Sequence, residues 1–250
     1  MNTENFTGKA EAYAKYRPSY PSSVYEYILT ECGLPQKPVF ADIGAGTGIF
    51  SLPLLKAGYK VYCVEPNADM KRRLDENTSA FENCVTLSSA AENTALKDAA
   101  VDCIAVAQAF HWFDRQAFKS ECRRVLRENG IVVLLWNSRV EDELLIRLEK
   151  ANERHCPKFK GFSGGVRRCD AAQFDDFFSE RCNLLFFDND LYYEGADAFA
   201  GRCLSGSYAL KPDDIGYEAY VKELREIYAE FESDGRLKMK NRVEMYVGKA

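Results

Sequence analysis

Val39-Phe40-Ala41-Asp42-Ile43-Gly44-Ala45-Gly46-Thr47-Gly48 decides the fold of this 250-residue chain. Its first half is a short apolar run of the kind that forms a strand buried on both faces. The three glycines that follow allow positive φ and remove the Cβ atoms that would hold a ligand away from the backbone. Residues 49–57 then carry apolar side chains at helical spacing and stop at Gly58. The unit is strand, tight turn, helix.

The same alternation continues on the C-terminal side. Residues 60–64 read as a second strand ending at Glu65-Pro66, and Asn67 or Asp69 is placed to cap a helix running through Met70 and Leu74. Residues 84–88 form a weaker third strand, 101–107 a fourth, 115–127 a helix and 130–136 a fifth strand. Strands alternating with helices require right-handed crossovers, hence a doubly wound parallel sheet with helices on both faces and its ligand at the strands' carboxyl ends. Beyond Asn137 the pattern loosens. Helices are expected over 141–154, 170–178 and 211–232, a loop over 161–165, and a strand over 184–193. Residues 239–247 alternate as a last strand, which the tight Ser233-Asp234-Gly235 connection assigns to the sheet edge.

Composition narrows the function. Charged residues make up 28% with a net charge of -5, which gives no reason for attraction to phosphate backbones or anionic lipid, so no nucleic-acid or membrane partner is expected. No apolar run approaches the ~20 residues of a membrane span and the first residues lack the features of a secretory signal, so the expected location is cytoplasmic. Nine scattered cysteines contain no C-x-x-C pair and read as reduced thiols. With His111 and His155 the only histidines, no metal site is expected; His155-Cys156 reads as a helix end.

The glycines Gly44, Gly46 and Gly48 fall at alternate positions. A dinucleotide fingerprint would place its third glycine where Ile49 stands, and no Lys-Ser/Thr pair follows to make a phosphate loop. Glu65, about 20 residues on at the end of the second strand, is placed to accept hydrogen bonds from both hydroxyls of a ribose, a signal that also serves NAD. After the third strand, the Ala91 backbone and the Glu92 carboxylate are candidates to read an adenine edge. After the fourth comes Gln108-Ala109-Phe110-His111-Trp112-Phe113-Asp114, an aromatic cluster at the rim of the expected cleft.

Taken together, the glycine turn, Glu65-Pro66, Ala91-Glu92 and the Gln108 to Asp114 cluster resemble class I S-adenosylmethionine-dependent methyltransferases, in particular the small-molecule branch that includes trans-aconitate methyltransferase-like proteins. The opening segment, with Tyr13, Tyr16-Arg17-Pro18 and Tyr20-Pro21, is similar to the lead-in of that branch. The resemblance implies a Rossmann-like sheet of seven strands with the last antiparallel, helical additions at the N-terminus and in the C-terminal half, and one domain over residues 1–250. Residues 1–36 would be a helical lid, 37–137 the cofactor-binding core and 138–250 the acceptor side. It further implies that Gly44, Gly46 and Gly48 line the methionine part of S-adenosylmethionine, Asp42 orients its amino group, Glu65 and Pro66 border the ribose, Ala91 and Glu92 the adenine, and Gln108 lies beside the cofactor. Tyr13 and Arg17 would cover it, the alternative for Arg17 being a surface residue that fixes a turn.

Methyl transfer from a sulfonium needs alignment and exclusion of water more than acid-base help, since proximity alone accounts for ~7 to 11 kcal/mol of barrier lowering. If a base is used, His111 is the candidate; the alternative for its ring is packing. The Asn/Asp-Pro-Pro-aromatic signature of base-modifying enzymes is absent after the fourth strand, which leaves a small-molecule acceptor. Phe177-Phe178, Phe186-Phe187 and Tyr192-Tyr193, with Arg167-Arg168, Arg202 and Tyr208, are candidates for its pocket. Two rivals use the same residues: an NAD-linked oxidoreductase, and a non-catalytic protein that binds S-adenosylmethionine. The acceptor, the atom methylated and the oligomeric state are left open.

Overall fold

A computed structural model describes residues 18–162, 174–206 and 208–250. Seven strands form one sheet: β1 (Val39–Ile43), β2 (Lys60–Val64), β3 (Cys84–Leu87), β4 (Val101–Ala107), β5 (Leu126–Arg139), β6 (Asn183–Asp188) and β9 (Asn241–Gly248). Their order is β3-β2-β1-β4-β5-β9-β6. Pairs from β3 to β5 are parallel, whereas β9 runs antiparallel to both β5 and β6. This is the doubly wound, mostly parallel α/β architecture expected. The final strand is not at the edge, however: β9 lies between β5 and β6. Its residues explain why, since Val243, Met245, Tyr246 and Val247 are all buried and need cover on both faces, while β6 exposes Phe186.

Two apolar layers flank the sheet. On one face Phe40, Ala105, Val133, Leu135 and Met245 pack against α1 (Ser22–Glu31) and α2 (Ser51–Lys56). On the other, Ile43, Ile104, Val106, Leu134 and Tyr246 pack against Phe118, Cys122 and Val125 of α4 (Arg115–Val125), with Phe174 and Phe177 completing the layer. Helix starts follow their caps. Asn67 accepts from the Met70 amide at the start of α3 (Ala68–Thr78), and Asp114 accepts from the Gln116 and Ala117 amides at the start of α4.

A third apolar cluster joins α5 (Glu143–His155), α6 (Ala196–Leu204) and α7 (Tyr217–Phe231) to a separate two-stranded sheet, β7 (Leu191–Glu194) with β8 (Arg236–Met239). Two expectations are corrected here. The strand expected over 184–193 is broken at Asn189-Asp190 and its halves serve different sheets, because the Asn189 side chain donates to the Ser19 carbonyl and to Asn137 Oδ1, each at 2.8 Å. The helix expected from Lys211 begins only at Tyr217, where Gly216 at φ 90 sets its start. The loop expected over 161–165 and the helix expected over 170–178 fall partly outside the described residues, where Phe174 begins a turn. Among the described residues no helix is long and apolar enough to cross a membrane.

Candidate functional site

A cleft opens at the carboxyl ends of β1, β4 and β5, where the strand order reverses. Gly44, Ala45, Gly46 and Thr47 form its floor. Ala107, Gln108 and Asn137 line one wall, and Pro18, Tyr20, Ile49 and Phe50 another. Of the expected site residues, Gly44, Gly46 and Gly48 all adopt positive φ, at 73°, 59° and 88°. Their reasons for lacking a side chain differ. A Cβ on Gly44 would meet the Ala109 Cβ at 2.6 Å, and one on Gly48 the Leu74 Cδ1 at 2.9 Å, whereas one on Gly46 would meet nothing within 4 Å. Gly44 and Gly48 therefore serve packing, and Gly46 leaves its backbone accessible.

Glu65 ties this turn to the next crossover. Oε2 accepts from the Gly46 amide and Oε1 from the Asn67 amide, each at 2.8 Å. Burial raises its pKa, the two amides acting in the opposite direction. Each carboxylate oxygen has two lone pairs, so each retains acceptor capacity beyond these bonds.

Asp42, at the end of β1, is 1% exposed. Its Oδ2 accepts from the Ser51 hydroxyl at 2.6 Å, while Oδ1 is buried without a hydrogen-bond partner. Burial pushes the carboxyl up to about 7; the Ser51 bond pulls down and the Glu65 carboxylate adds to the rise. Thr47 Oγ1 is buried and unpartnered too. Orphaned polar atoms next to open glycine backbone are what a site for a ligand with an ammonium and a carboxylate requires, because leaving them unmatched costs ~1–3 kcal/mol each. The residues present fit the methionine portion of S-adenosylmethionine.

Gln108 follows β4 at φ 65, a conformation that costs a non-glycine residue roughly 1–2 kcal/mol, and its amide is held by the Leu135 carbonyl at 2.9 Å. Such strain at a ligand cleft is a common mark of a functional position. Ala91 is buried and Glu92 half-buried, with Glu92 Oε1 accepting from the Asp114 amide at 2.9 Å. None of Asp42, Gly48, Glu65, Pro66, Ala91 and Glu92 is among the cleft-lining residues. His111 lies in a 3-10 turn over Phe110–Trp112, is exposed, and stacks obliquely on Trp112 with ring centroids 4.8 Å apart; it does not line the cleft. Tyr13 and Arg17 fall outside the described residues.

Sequence reasoning missed Asn137, which lines the cleft while its Nδ2 donates to the Pro18 carbonyl at 3.3 Å and its Oδ1 receives Asn189. A polar residue ending the apolar run of β5 was the available signal. Tyr20 and Phe50 were also missed; their rings meet edge to face at 5.6 Å. Among the acceptor-side candidates, Phe177 and Phe178 are core, Phe186 lies under the Arg242 guanidinium at 4.4 Å and Tyr192 under that of Arg236 at 4.3 Å. Arg167 and Arg168 fall outside the described residues. His155 Nε2 lies 2.7 Å from Glu223 Oε2 while Cys156 is buried, and among the described residues no group of His, Cys, Asp and Glu converges as a metal site.

Comparison with known proteins agrees with this geometry. The family profile "Methyltransferase domain" matches residues 41–134, from β1 through the middle of β5. An uncharacterized methyltransferase of Mycobacterium bovis is 36% identical over 137 residues, 55% of this chain and 54% of its own length. A provisionally named methyltransferase of Dictyostelium discoideum is 35% identical over 131 residues, 52% and 48% of the two chains. The chain thus spans about half the length of the curated relatives it matches. A provisionally named type II methyltransferase from Anaeromyxobacter dehalogenans shares the fold, with a TM-score of 0.65 at 21% identity over 94% of this chain and 98% of that one. Profile and relatives agree with the glycine turn and its acidic partner: residues 41–134 match the methyltransferase domain family.

Proposed function

We propose that this chain transfers the methyl group of S-adenosylmethionine to a small-molecule acceptor. The observation that carries the reading is the glycine turn Gly44 to Thr47 flooring the cleft at the switch point of the sheet, with the Asp42 Oδ1 that precedes it buried and without a partner. When bound, the sulfonium supplies an activated methyl and its own leaving group. The chain's residues bind and orient: Asp42 receives the ammonium, directly or through water, Gly44 to Thr47 underlie the methionine portion, Glu65 and Pro66 border the ribose, and Ala91 with Glu92 border the adenine. Gln108 and Asn137 form the wall towards the acceptor side, and Tyr13 and Arg17 are assigned to the cover. Alignment and water exclusion carry most of the rate.

An acceptor that loses its proton early calls for a base, and His111 is the group assigned to that role. The small-molecule reading rests on the modest negative charge and on the absence of a base-modifying signature after β4. An NAD-linked oxidoreductase is disfavoured by Ile49 in place of a third fingerprint glycine. The test is release of S-adenosylhomocysteine by purified protein across a panel of small acids, amines and phenols. Acceptor-dependent release supports transfer. Cofactor binding with no release from any member of a broad panel, nucleic acid included, points instead to a sensor or a subunit partner.

A further inference from the structure

Cys63 on β2 and Cys84 on β3 are diagonal neighbours: across the parallel ladder Cys63 pairs with Thr86 and Cys84 with Val61. Their sulfurs lie 3.8 Å apart. Cys63 is fully buried, whereas Cys84 sits on an edge strand and is half-buried. The contact continues inward, because the Cys63 thiol donates to the Ser51 hydroxyl at 3.2 Å and that hydroxyl donates to Asp42 Oδ2 at 2.6 Å. A pair of touching thiols is thus joined to the carboxylate assigned to the cofactor ammonium.

The two thiols differ in the way an oxidation-sensitive pair requires. Hydrogen bonding with Cys63 holds the Cys84 thiol below its ordinary range; burial acts against this, and the Thr78 hydroxyl and Lys71 add to it. Among the described cysteines, Cys32 is the other one that is not buried, and burial with the Glu31 charge pushes it up to about 11. The thiolate is the nucleophile towards a peroxide, so Cys84 is the sulfur placed to react first and Cys63 the sulfur placed to resolve it.

We propose that Cys84 and Cys63 are a peroxide-oxidised dithiol whose disulfide loosens the hold on the cofactor. The Cys84 thiolate attacks one peroxide oxygen, forming an S–O bond as the O–O bond breaks, and the departing hydroxide takes up the proton that Cys84 released. The Cys63 sulfur then attacks the sulfenic sulfur, the S–O bond breaks, and the hydroxyl leaves with the Cys63 proton as a second water. Two electrons pass from the sulfurs to the peroxide. Bringing the sulfurs into bonding contact moves β3, a four-residue edge strand paired only to β2. It also removes the proton that Cys63 donates to Ser51, and it pulls on β2 two residues before Glu65. The oxidation site stands on the sulfur geometry; its effect on the cofactor rests on the methyl-transfer reading.

The test treats the purified full chain with stoichiometric hydrogen peroxide. The expected product is lighter by two hydrogens and links tryptic peptides 61–71 and 74–97, each of which holds one cysteine. It binds S-adenosylhomocysteine at least fivefold more weakly, and dithiothreitol restores the affinity. Cys63→Ser stops at a sulfenic acid on Cys84 that dimedone traps, and Cys84→Ser shows neither the link nor the loss of affinity. Should Cys63→Ser fail to fold, dimedone present while the parent is oxidised captures the same Cys84 adduct in place of the link. Links or dimedone adducts forming first at other cysteines, or a loss of affinity in Cys84→Ser equal to the parent's, would overturn the proposal. So would a 63–84 link that leaves affinity within twofold of the reduced chain. Failure of the reduced chain to bind S-adenosylhomocysteine counts against methyl transfer instead, and the peptide link still decides the oxidation site.

Discussion

The Glu65 carboxylate spans the Gly46 and Asn67 amides, accepting from each at 2.8 Å, and so holds the glycine turn after β1 against the cap of α3. Glu65→Gln retains one carbonyl oxygen but sets its NH2 against the other amide, leaving two donors facing. Loss of one bond in this buried position is expected to cost ~1–3 kcal/mol of stability. Because the same carboxylate is assigned to the ribose, S-adenosylhomocysteine affinity should fall at least tenfold, read by calorimetry beside a thermal melt. An affinity within twofold of the parent would remove Glu65 from the cofactor site.

Gly44 and Gly46 separate packing from binding. Gly44→Ala brings a Cβ to 2.6 Å from that of Ala109, a methyl fixed to its own backbone that cannot swing aside, at φ 73. A loss of ~2 kcal/mol or more, from overpacking and strain together, is expected in denaturant unfolding. Gly46→Ala has open space and incurs only the left-handed penalty of roughly 1–2 kcal/mol, but places a methyl where the ligand backbone contact is assigned. Its cofactor affinity should drop more than that of any variant of similar stability.

Asp42 makes stability and binding respond to pH in opposite directions. Below pH 4 the carboxyl is protonated in folded and unfolded chains alike and contributes no difference. Between pH 4 and about 7 the unfolded chain ionises while the buried group does not, so stability falls as pH rises, and above 7 the loss is complete. Its full size is on the order of 4 kcal/mol. Asp42→Asn should abolish this slope in unfolding measured from pH 5 to 8. Cofactor affinity should do the reverse in the parent, weakening towards tenfold per pH unit below 7 as the acceptor of the ammonium is neutralised, and should be flat in Asp42→Asn.

His111 stands exposed outside the cleft lining, so His111→Ala should leave cofactor affinity within twofold. As a base it should lower turnover by about 10²-fold, the lower end of what general-base catalysis contributes. Turnover that also stays within twofold assigns the ring to packing on Trp112.

The cofactor half of the molecule was legible because its signals are local. The fourth strand was expected over 101–107 and occupies Val101–Ala107; the glycine turn and the cap of α3 rest on residue types that act within a few positions. The C-terminal half was less so. Leu184 to Tyr193 is two apolar and aromatic runs parted by Asp188-Asn189-Asp190, a polar turn signal that the single-strand reading passed over, and the break is fixed by the Asn189 side chain reaching Ser19, 170 residues away in sequence. The run over 236–248 divides at Lys240, whose carbonyl receives the Val140 amide. No neighbour-range pattern reports such contacts. The interior position of β9 did have a signal, apolar residues on both faces from Val243 to Val247, which alternation alone understates.

The most direct measurement is a side-by-side calorimetric titration of the purified chain with S-adenosylhomocysteine and with NADH at pH 8, where Asp42 is ionised. The assignment of Gly46, Asp42 and Glu65 to the cofactor predicts saturable binding of S-adenosylhomocysteine at one site per chain and no heat from NADH. Saturable NADH binding with silence from S-adenosylhomocysteine would contradict it.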